Sequence, residues 1–179
     1  RSAGPGQLVP RNLLIDPWIS DNPLAKEIDV ETVPADYIVL THGHENHIGD
    51  SVRIAPRTGA QCIANFEIAR WLETQGVRNV CSVNIGGTLS LDFKRVKLVN
   101  AVHSSSRPDG SHGGPAGGFV VETERGNFYH SGDTALIPDM QLIGADISLK
   151  WAALCLGDRS TMGIRDALRA VDFLRCRQI

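Results

Sequence analysis

Histidine is the residue type whose spacing in this sequence most clearly suggests chemistry. All six histidines lie between residues 42 and 130, and His42, His44 and His47 lie close together. His42 and His44 follow an apolar run, so in an extended chain their side chains point to the same side. His47 lies one helical turn beyond His44 if a helix begins there. Three neutral imidazoles can then converge, which predicts a site for zinc, iron, manganese or nickel.

A further nitrogen ligand must come from elsewhere in the chain. His103 is the strongest candidate because it follows a predicted strand and opens a serine-rich segment. Asp133 follows Gly132 at another predicted strand end, where it either bridges two cations or caps a helix. His130 is expected to support the ligands rather than bind metal itself. His112, in a glycine-rich loop, either contacts substrate or is a solvated loop residue.

Short apolar runs bounded by turn residues predict the strands that position these side chains. Asn65 is predicted to cap a helix that stops at Gly76. Residues 104–118 are dense in Ser, Gly and Pro, which argues against a core element there. Residues 18–34 are predicted to form a connecting loop. The expected strands cover 12–16, 36–41, 61–65 and 147–156, with hairpins at 89–100 and 119–129 and a final helix at 167–175. This alternation predicts a mixed α/β layered fold.

Length and composition limit the class of protein. The 179 residues fit one domain over 12–179, with residues 1–11 linker-like or disordered. A net charge of -2 argues against a nucleic-acid or anionic membrane surface. No apolar run approaches the roughly 20 residues that span a bilayer. The four cysteines form no CxxC pair, so we expect buried free thiols in a reducing, cytoplasmic compartment.

The order of these residues resembles the HxHxDH, His, Asp series of the metallo-β-lactamase superfamily. Flanking segments such as Leu14–Trp18 and Gly113–Gly117 narrow the resemblance to small metal-dependent hydrolases related to ascorbate-6-phosphate lactonase. The likeness covers about residues 12–178. In this sequence the series reads His42-x-His44-x-Asn46-His47, then His103, then Gly132-Asp133-Thr134.

The resemblance implies an αββα sandwich with a dinuclear metal site along one edge. His42, His44 and His103 would hold the first metal. Asp133 would bridge, and His47 would help to hold the second. A metal-bound hydroxide would attack an ester, lactone or phosphoester, and the metals would stabilise the developing oxyanion. Catalytic roles are assigned to Asn46, Asp133 and His130.

The sequence departs from the family pattern at Asn46, where the motif has aspartate. An amide oxygen is a weaker ligand, and asparagine cannot act as a general base. The family's last metal-binding histidine would follow near Gln178-Ile179, and its N-terminal Gly-His-Ser strand pair has no counterpart in residues 1–11. We therefore expect a sandwich without its first strands and last strand, with exposed edges that favour either association into a homo-oligomer or instability. One firmly bound ion and a weak or empty second position are predicted.

A metal-dependent hydrolase of small molecules is the leading hypothesis, with zinc as the first choice of metal and manganese, iron or nickel as alternatives. Asn46 keeps a second hypothesis open, a metal-binding protein with little or no turnover. A nuclease acting on RNA is a third, and the acidic net charge argues against it. Residues 17–34 and 104–118 would line the cleft, where Ser104–Ser106 could donate hydrogen bonds to a substrate oxyanion.

Overall fold

The computed structural model describes residues 10–176 and 178–179, which contain nine strands, five α-helices and a short 3-10 helix at Val30–Thr32. The strands are β1 (Leu13–Ile15), β2 (Tyr37–Val39), β3 (Gln61–Ala64), β4 (Val80–Ser82), β5 (Thr88–Leu91), β6 (Lys94–Asn100), β7 (Gly117–Thr123), β8 (Asn127–His130) and β9 (Leu149–Ala153). The helices are α1 (Glu45–Ile48), α2 (Ser51–Thr58), α3 (Phe66–Thr74), α4 (Asp139–Asp146) and α5 (Ile164–Leu174).

The strands form two sheets. The first is a parallel sheet in the order β1-β2-β3-β4. Parallel neighbours need crossover connections, which α1 and α2 supply between β2 and β3, and α3 supplies between β3 and β4. The second sheet has the order β5-β6-β7-β8-β9, with antiparallel pairing except between β8 and β9. Both predicted hairpins are confirmed in it.

Three separate apolar clusters show that the sheets are stacked between two layers of helices. In β2, Ile38 packs in the cluster formed with α2 and α3, whereas its neighbour Val39 packs against the second sheet. In β7, Phe119 faces the first sheet and Val120 packs in the cluster formed with α4 and α5. Successive side chains of a strand point to opposite faces, so a continuous apolar run belongs to a strand covered on both sides. The fold is the expected αββα sandwich.

The predicted helix cap is confirmed. Asn65 caps α3, since its side-chain oxygen accepts a hydrogen bond from the Ile68 amide at 2.9 Å. All four cysteines are free thiols, but only Cys62 is buried as expected, and the other three are half-buried. No helix in the described residues is long and apolar enough to cross a membrane. The linker predicted for residues 1–11 falls largely on residues 1–9, outside the described residues, while Arg11 forms ion pairs with Asp36 and Asp92.

The prediction that residues 104–118 contain no core element is wrong at the end of that segment. Ala116 is buried, and β7 begins at Gly117. A Cβ at Gly117 would lie 2.6 Å from Leu98 Cδ1, so the missing side chain is what lets β7 pack closely here. Glycine therefore marks a tightly packed strand at this position rather than a solvated loop. The elements α2, β4 and α4 were not predicted.

Candidate metal centre

The predicted metal ligands meet at one edge of the sandwich because the strands that precede them end there. His42 and His44 follow β2, and Asp16 follows the neighbouring parallel strand β1. In the second sheet, β6 and β8 run in the same direction because each is antiparallel to β7. Their carboxyl ends therefore lie on one side, and they carry His103 and Asp133 respectively.

Three imidazoles converge at this edge. The candidate ligand nitrogens of His42, His44 and His103 all lie within 4.8 Å of one another. His42 Nε2 and His44 Nδ1 are 3.0 Å apart. Ligand nitrogens around a tetrahedral zinc ion are separated by about 3.3 Å, given Zn–N bonds of about 2.0–2.1 Å. The three donors therefore fit a single cation of that size.

His42 is fully buried and held in a defined orientation. Its Nδ1 lies 3.0 Å from the Thr41 hydroxyl, which itself donates a hydrogen bond to Asp16 Oδ2 at 2.6 Å. Since that hydroxyl proton is committed to Asp16, Thr41 accepts from His42 Nδ1–H, which leaves Nε2 free of a proton. Burial lowers the pKa of His42 to about 3, with repulsion from His47 and His44 acting in the same direction. At neutral pH the ring is neutral, the form that binds metal.

A second group of donors lies beside the first. His47 Nδ1 is 2.8 Å from Asp16 Oδ2, and His47 Nε2 is 3.4 Å from Asp133 Oδ2. Burial lowers the pKa of His47, but hydrogen bonds to Asp133 and Asp16 outweigh this and raise it to about 9. The hydrogen bond from His47 also lowers the pKa of Asp133. Asp16, His42 and His47 have the mutual distances of a second possible cation-binding group.

Asp133 lies between the two groups. Its Oδ2 is 3.6 Å from His103 Nε2 and 3.4 Å from His47 Nε2. The alternative role of Asp133 as a helix cap is wrong, because the next helix, α4, begins six residues later with Pro138 at its N-cap. The carboxylate is thus available to both sets of imidazoles, as a bridging ligand would have to be.

Comparison with known proteins agrees with this arrangement. Residues 11–179 match the family model of the β-lactamase superfamily domain. The chain belongs to the β-lactamase superfamily. A Methylacidiphilum infernorum protein named UPF0173 metal-dependent hydrolase is 48% identical over 167 residues, which cover 93% of this chain and 74% of that protein. A Thermus thermophilus protein of the same family name is 44% identical over 167 residues, covering 93% of this chain and 73% of its own.

A solved structure shows the same fold. Igni18, a metallo hydrolase from Ignicoccus hospitalis, has a TM-score of 0.80 and 38% sequence identity to this chain. The likeness covers 92% of this chain and 71% of Igni18. The chain is therefore a member of a group of β-lactamase superfamily proteins whose named relatives are metal-dependent hydrolases.

Asp16 is the site residue that the sequence reasoning missed in this superfamily member. It directly follows β1 in a left-handed conformation, with a φ of 46° that aspartate tolerates better than most residues. Its carboxylate accepts from the Thr41 amide at 2.8 Å as well as from the Thr41 hydroxyl and His47. The available signal was a polar residue directly after a buried parallel strand, at the same sheet edge as His42.

Two further predicted catalytic residues lie outside both donor groups of the superfamily member. Asn46 is exposed on α1 and lines a neighbouring cavity. His130 Nδ1 accepts a hydrogen bond from the Gly132 amide at 3.1 Å, so the ring braces the turn before Asp133. Burial lowers the pKa of His130. Its contact with this turn favours the supporting role over direct metal binding.

Gly132 shapes the turn that carries Asp133. Its φ is 59°, and a Cβ there would lie 2.4 Å from the Gly117 carbonyl oxygen and 3.0 Å from Thr41 Cβ. No other residue fits without moving a strand. The end of β8 can therefore approach β7 and the chain after β2, which brings Asp133 to the histidines.

The loop at residues 104–114 packs directly on the histidine motif. Ser105 Oγ accepts a hydrogen bond from the Gly43 amide at 3.0 Å, and Ser104 Oγ lies 3.3 Å from His44 Nε2. His112 is exposed, and its Nδ1 accepts from the Gly114 amide at 3.0 Å. This loop is thus held at the mouth of the site.

Proposed function

We propose that this protein is a zinc-dependent hydrolase of small ester, lactone or phosphoester substrates. The observation that carries the proposal is the convergence of His42, His44 and His103 on one point, with Asp133 between them and His47. Neutral imidazoles and a carboxylate are the donors that zinc accepts, although manganese, iron and nickel also suit them.

A bound divalent cation would supply Lewis acidity and an activated water nucleophile at neutral pH. The chain itself supplies orientation. Asp16 holds His42 through Thr41 and holds His47 directly, so one carboxylate sets the direction of two candidate ligands. Ser104, at the mouth of the site, supplies a hydroxyl that can donate to a substrate oxygen as negative charge develops there.

A second candidate function is metal binding with little or no turnover. Asn46 favours it because this side chain is a neutral amide where the superfamily motif has a carboxylate. Among the described residues Asn46 forms no side-chain hydrogen bond, and it is exposed beside His47. A cation next to His47 would therefore have less negative charge around it than the motif provides, which favours one firmly bound ion per chain.

Metal analysis and activity assays test the proposal together. Protein purified without chelator is expected to contain one equivalent of metal, whereas His103→Ala is expected to lose it. The unchanged protein and Asn46→Asp are then compared on a lactone and on a bis-phosphodiester reporter with added zinc or manganese. Hydrolysis above the His103→Ala background supports the hydrolase. Background rates from both proteins on both reporters would favour the inert metal-binding function, and two equivalents of metal would contradict the unequal sites.

A further inference from the structure

A cavity of about 510 Å³ lies beside the metal centre. Helix α1 separates the two, because His47 contacts Asp16 and Asp133 whereas Glu45 and Asn46 line the cavity. A molecule in the cavity would therefore lie one helical turn from the candidate ligands. The cavity is also lined by Trp18, Asp21, Trp71 and Pro108.

The charge of the cavity wall is negative. None of the nine described residues that line it is Lys, Arg or His, whereas three carry carboxylates. Asp50 is occupied, since it accepts hydrogen bonds from the amides of Ile19 and Ser20 at 2.8 Å each. Asp21 and Glu45 are exposed and form no ion pair within the described ranges, so their charges are available to a ligand.

Two indole rings complete the wall, and both are held in place. Trp71 is half-buried on α3 and packs against the apolar cluster beneath the helix. Trp18 is half-buried in the segment that Asp50 anchors through Ile19 and Ser20. Aromatic faces attract cations because of their negative quadrupole, and indole does so most strongly. Aromatic rings combined with unpaired carboxylates complement an organic cation.

We propose that this cavity binds an alkylammonium group of the substrate and thereby selects esters or related compounds that carry a positive charge. This inference rests on the proposed hydrolase function, because it treats the bound molecule as a substrate. Binding in the cavity does not itself require turnover. The cation would lie between Trp18 and Trp71 with Asp21 and Glu45 nearby, and the remainder of the molecule would extend past Asn46 toward the metal centre.

Calorimetric titration with choline tests the binding. The control ligand is 3,3-dimethylbutan-1-ol, which has the same shape without the charge. Choline is expected to bind about tenfold more tightly than the alcohol, the order of magnitude of a partly desolvated cation–π contact. The measurement is made on metal-free and on zinc-loaded protein, so that coordination of the hydroxyl group to zinc is separated from binding in the cavity. Equal affinities, or tighter binding of the alcohol, would overturn the proposal.

Charge-neutralising variants then locate the site. Asp21→Asn and Glu45→Gln are each expected to weaken choline binding about threefold, as for an exposed ion pair, and to leave the alcohol unaffected. Asp172→Asn is the matched control, because it removes an exposed carboxylate from α5 on the opposite helical layer. Trp71→Leu is expected to weaken the binding of choline more than that of the alcohol. A thermal melt verifies that this variant is folded. Unchanged choline affinity in both Asp21→Asn and Glu45→Gln would place the binding elsewhere and contradict the proposal.

Hydrolysis of acetylcholine and of 3,3-dimethylbutyl acetate separates this inference from the proposed function. A higher kcat/KM for the charged ester, reduced in Asp21→Asn, supports both. If neither ester is hydrolysed while choline still binds as described, the choice of ester substrate fails and the cavity assignment stands. If both esters are hydrolysed equally and choline does not bind, the hydrolase stands and the cavity assignment is wrong.

Discussion

Removal of the Asp16 carboxylate is expected to weaken both the fold and the metal site. In Asp16→Ala, the amide and hydroxyl of Thr41 lose their shared acceptor, and Thr41 is 1% exposed. Each buried polar group left without a partner costs about 1–3 kcal/mol, so the free energy of unfolding should fall by about 2–6 kcal/mol. A domain of this size has about 5–15 kcal/mol in total, so the alanine variant is expected to be close to unfolding.

Asp16→Asn separates the metal effect from the stability effect. Asparagine keeps the shape of the side chain and one acceptor oxygen. Its NH₂ group accepts no hydrogen bond, so the donors that now share two carboxylate oxygens would compete for one. The hydrogen-bonded chain from His42 through Thr41 is then weakened, and so is the contact to His47. Loss of such a supporting partner typically reduces metal affinity about 10–100-fold, which is the expected drop for zinc.

Urea unfolding of metal-free protein, followed by tryptophan fluorescence, measures the stability, and competition with a chromophoric chelator measures zinc affinity. Asp36→Asn is the matched control, because Asp36 is a carboxylate just before β2, at the opposite end of that strand, where it accepts from the Asn12 amide and Arg11. It should leave zinc affinity unchanged. If Asp16→Asn binds zinc as tightly as the Asp36→Asn control, the argument that Asp16 orients His42 and His47 is wrong.

Three other changes test the packing around the site. Gly132→Ala should lower the free energy of unfolding by more than about 2 kcal/mol, because its Cβ would meet the Gly117 carbonyl oxygen at 2.4 Å; urea unfolding with unchanged stability would contradict this. Asn65→Ala should cost about 1–3 kcal/mol by loss of the α3 cap and of the hydrogen bonds to the carbonyls of Gly113 and Pro115. Asn65→Asp should cost at least as much although it retains the cap, because a buried carboxylate oxygen would then face both carbonyls; a smaller loss than for alanine in urea unfolding would contradict this. Removal of metal by chelator should lower the Tm reversibly, since zinc at a hundred times its Kd stabilises the folded protein by about 2.7 kcal/mol. An unchanged Tm would mean that the native site does not hold metal.

Residue spacing was sufficient to predict the part of the site around the histidine motif. His42 and His44 lie on one side because the backbone after β2 is extended, and His47 lies one turn beyond because α1 begins at Glu45. The same short-range rules predicted the Asn65 cap and both hairpins. In each case the interacting groups are a few residues apart, so backbone geometry alone limits where they can be.

Helices α2 and α4 escaped prediction because their local signals are weak. Pro56 lies inside α2, and Gly144 and Asp146 lie in α4, all residues that disfavour a helix in isolation. Each helix forms because it covers one outer face of a sheet. Gly144 is required there, since a Cβ would lie 2.3 Å from the Phe173 carbonyl oxygen of α5. Tertiary packing thus overrides the local preference.

The residues that join the site from distant parts of the chain depend on how the two sheets pack. His103 comes from the second sheet and meets His42 because apolar side chains such as Val39 and Phe119 hold the two sheets face to face. Asp16 joins Thr41 only because β1 pairs in parallel with β2. The cavity beside α1 likewise combines Trp18 with Trp71, which are far apart in the chain. Spacing along a chain limits neighbours within a turn or a strand, whereas contacts across the sandwich depend on how the buried faces pack, and that is a property of the whole fold.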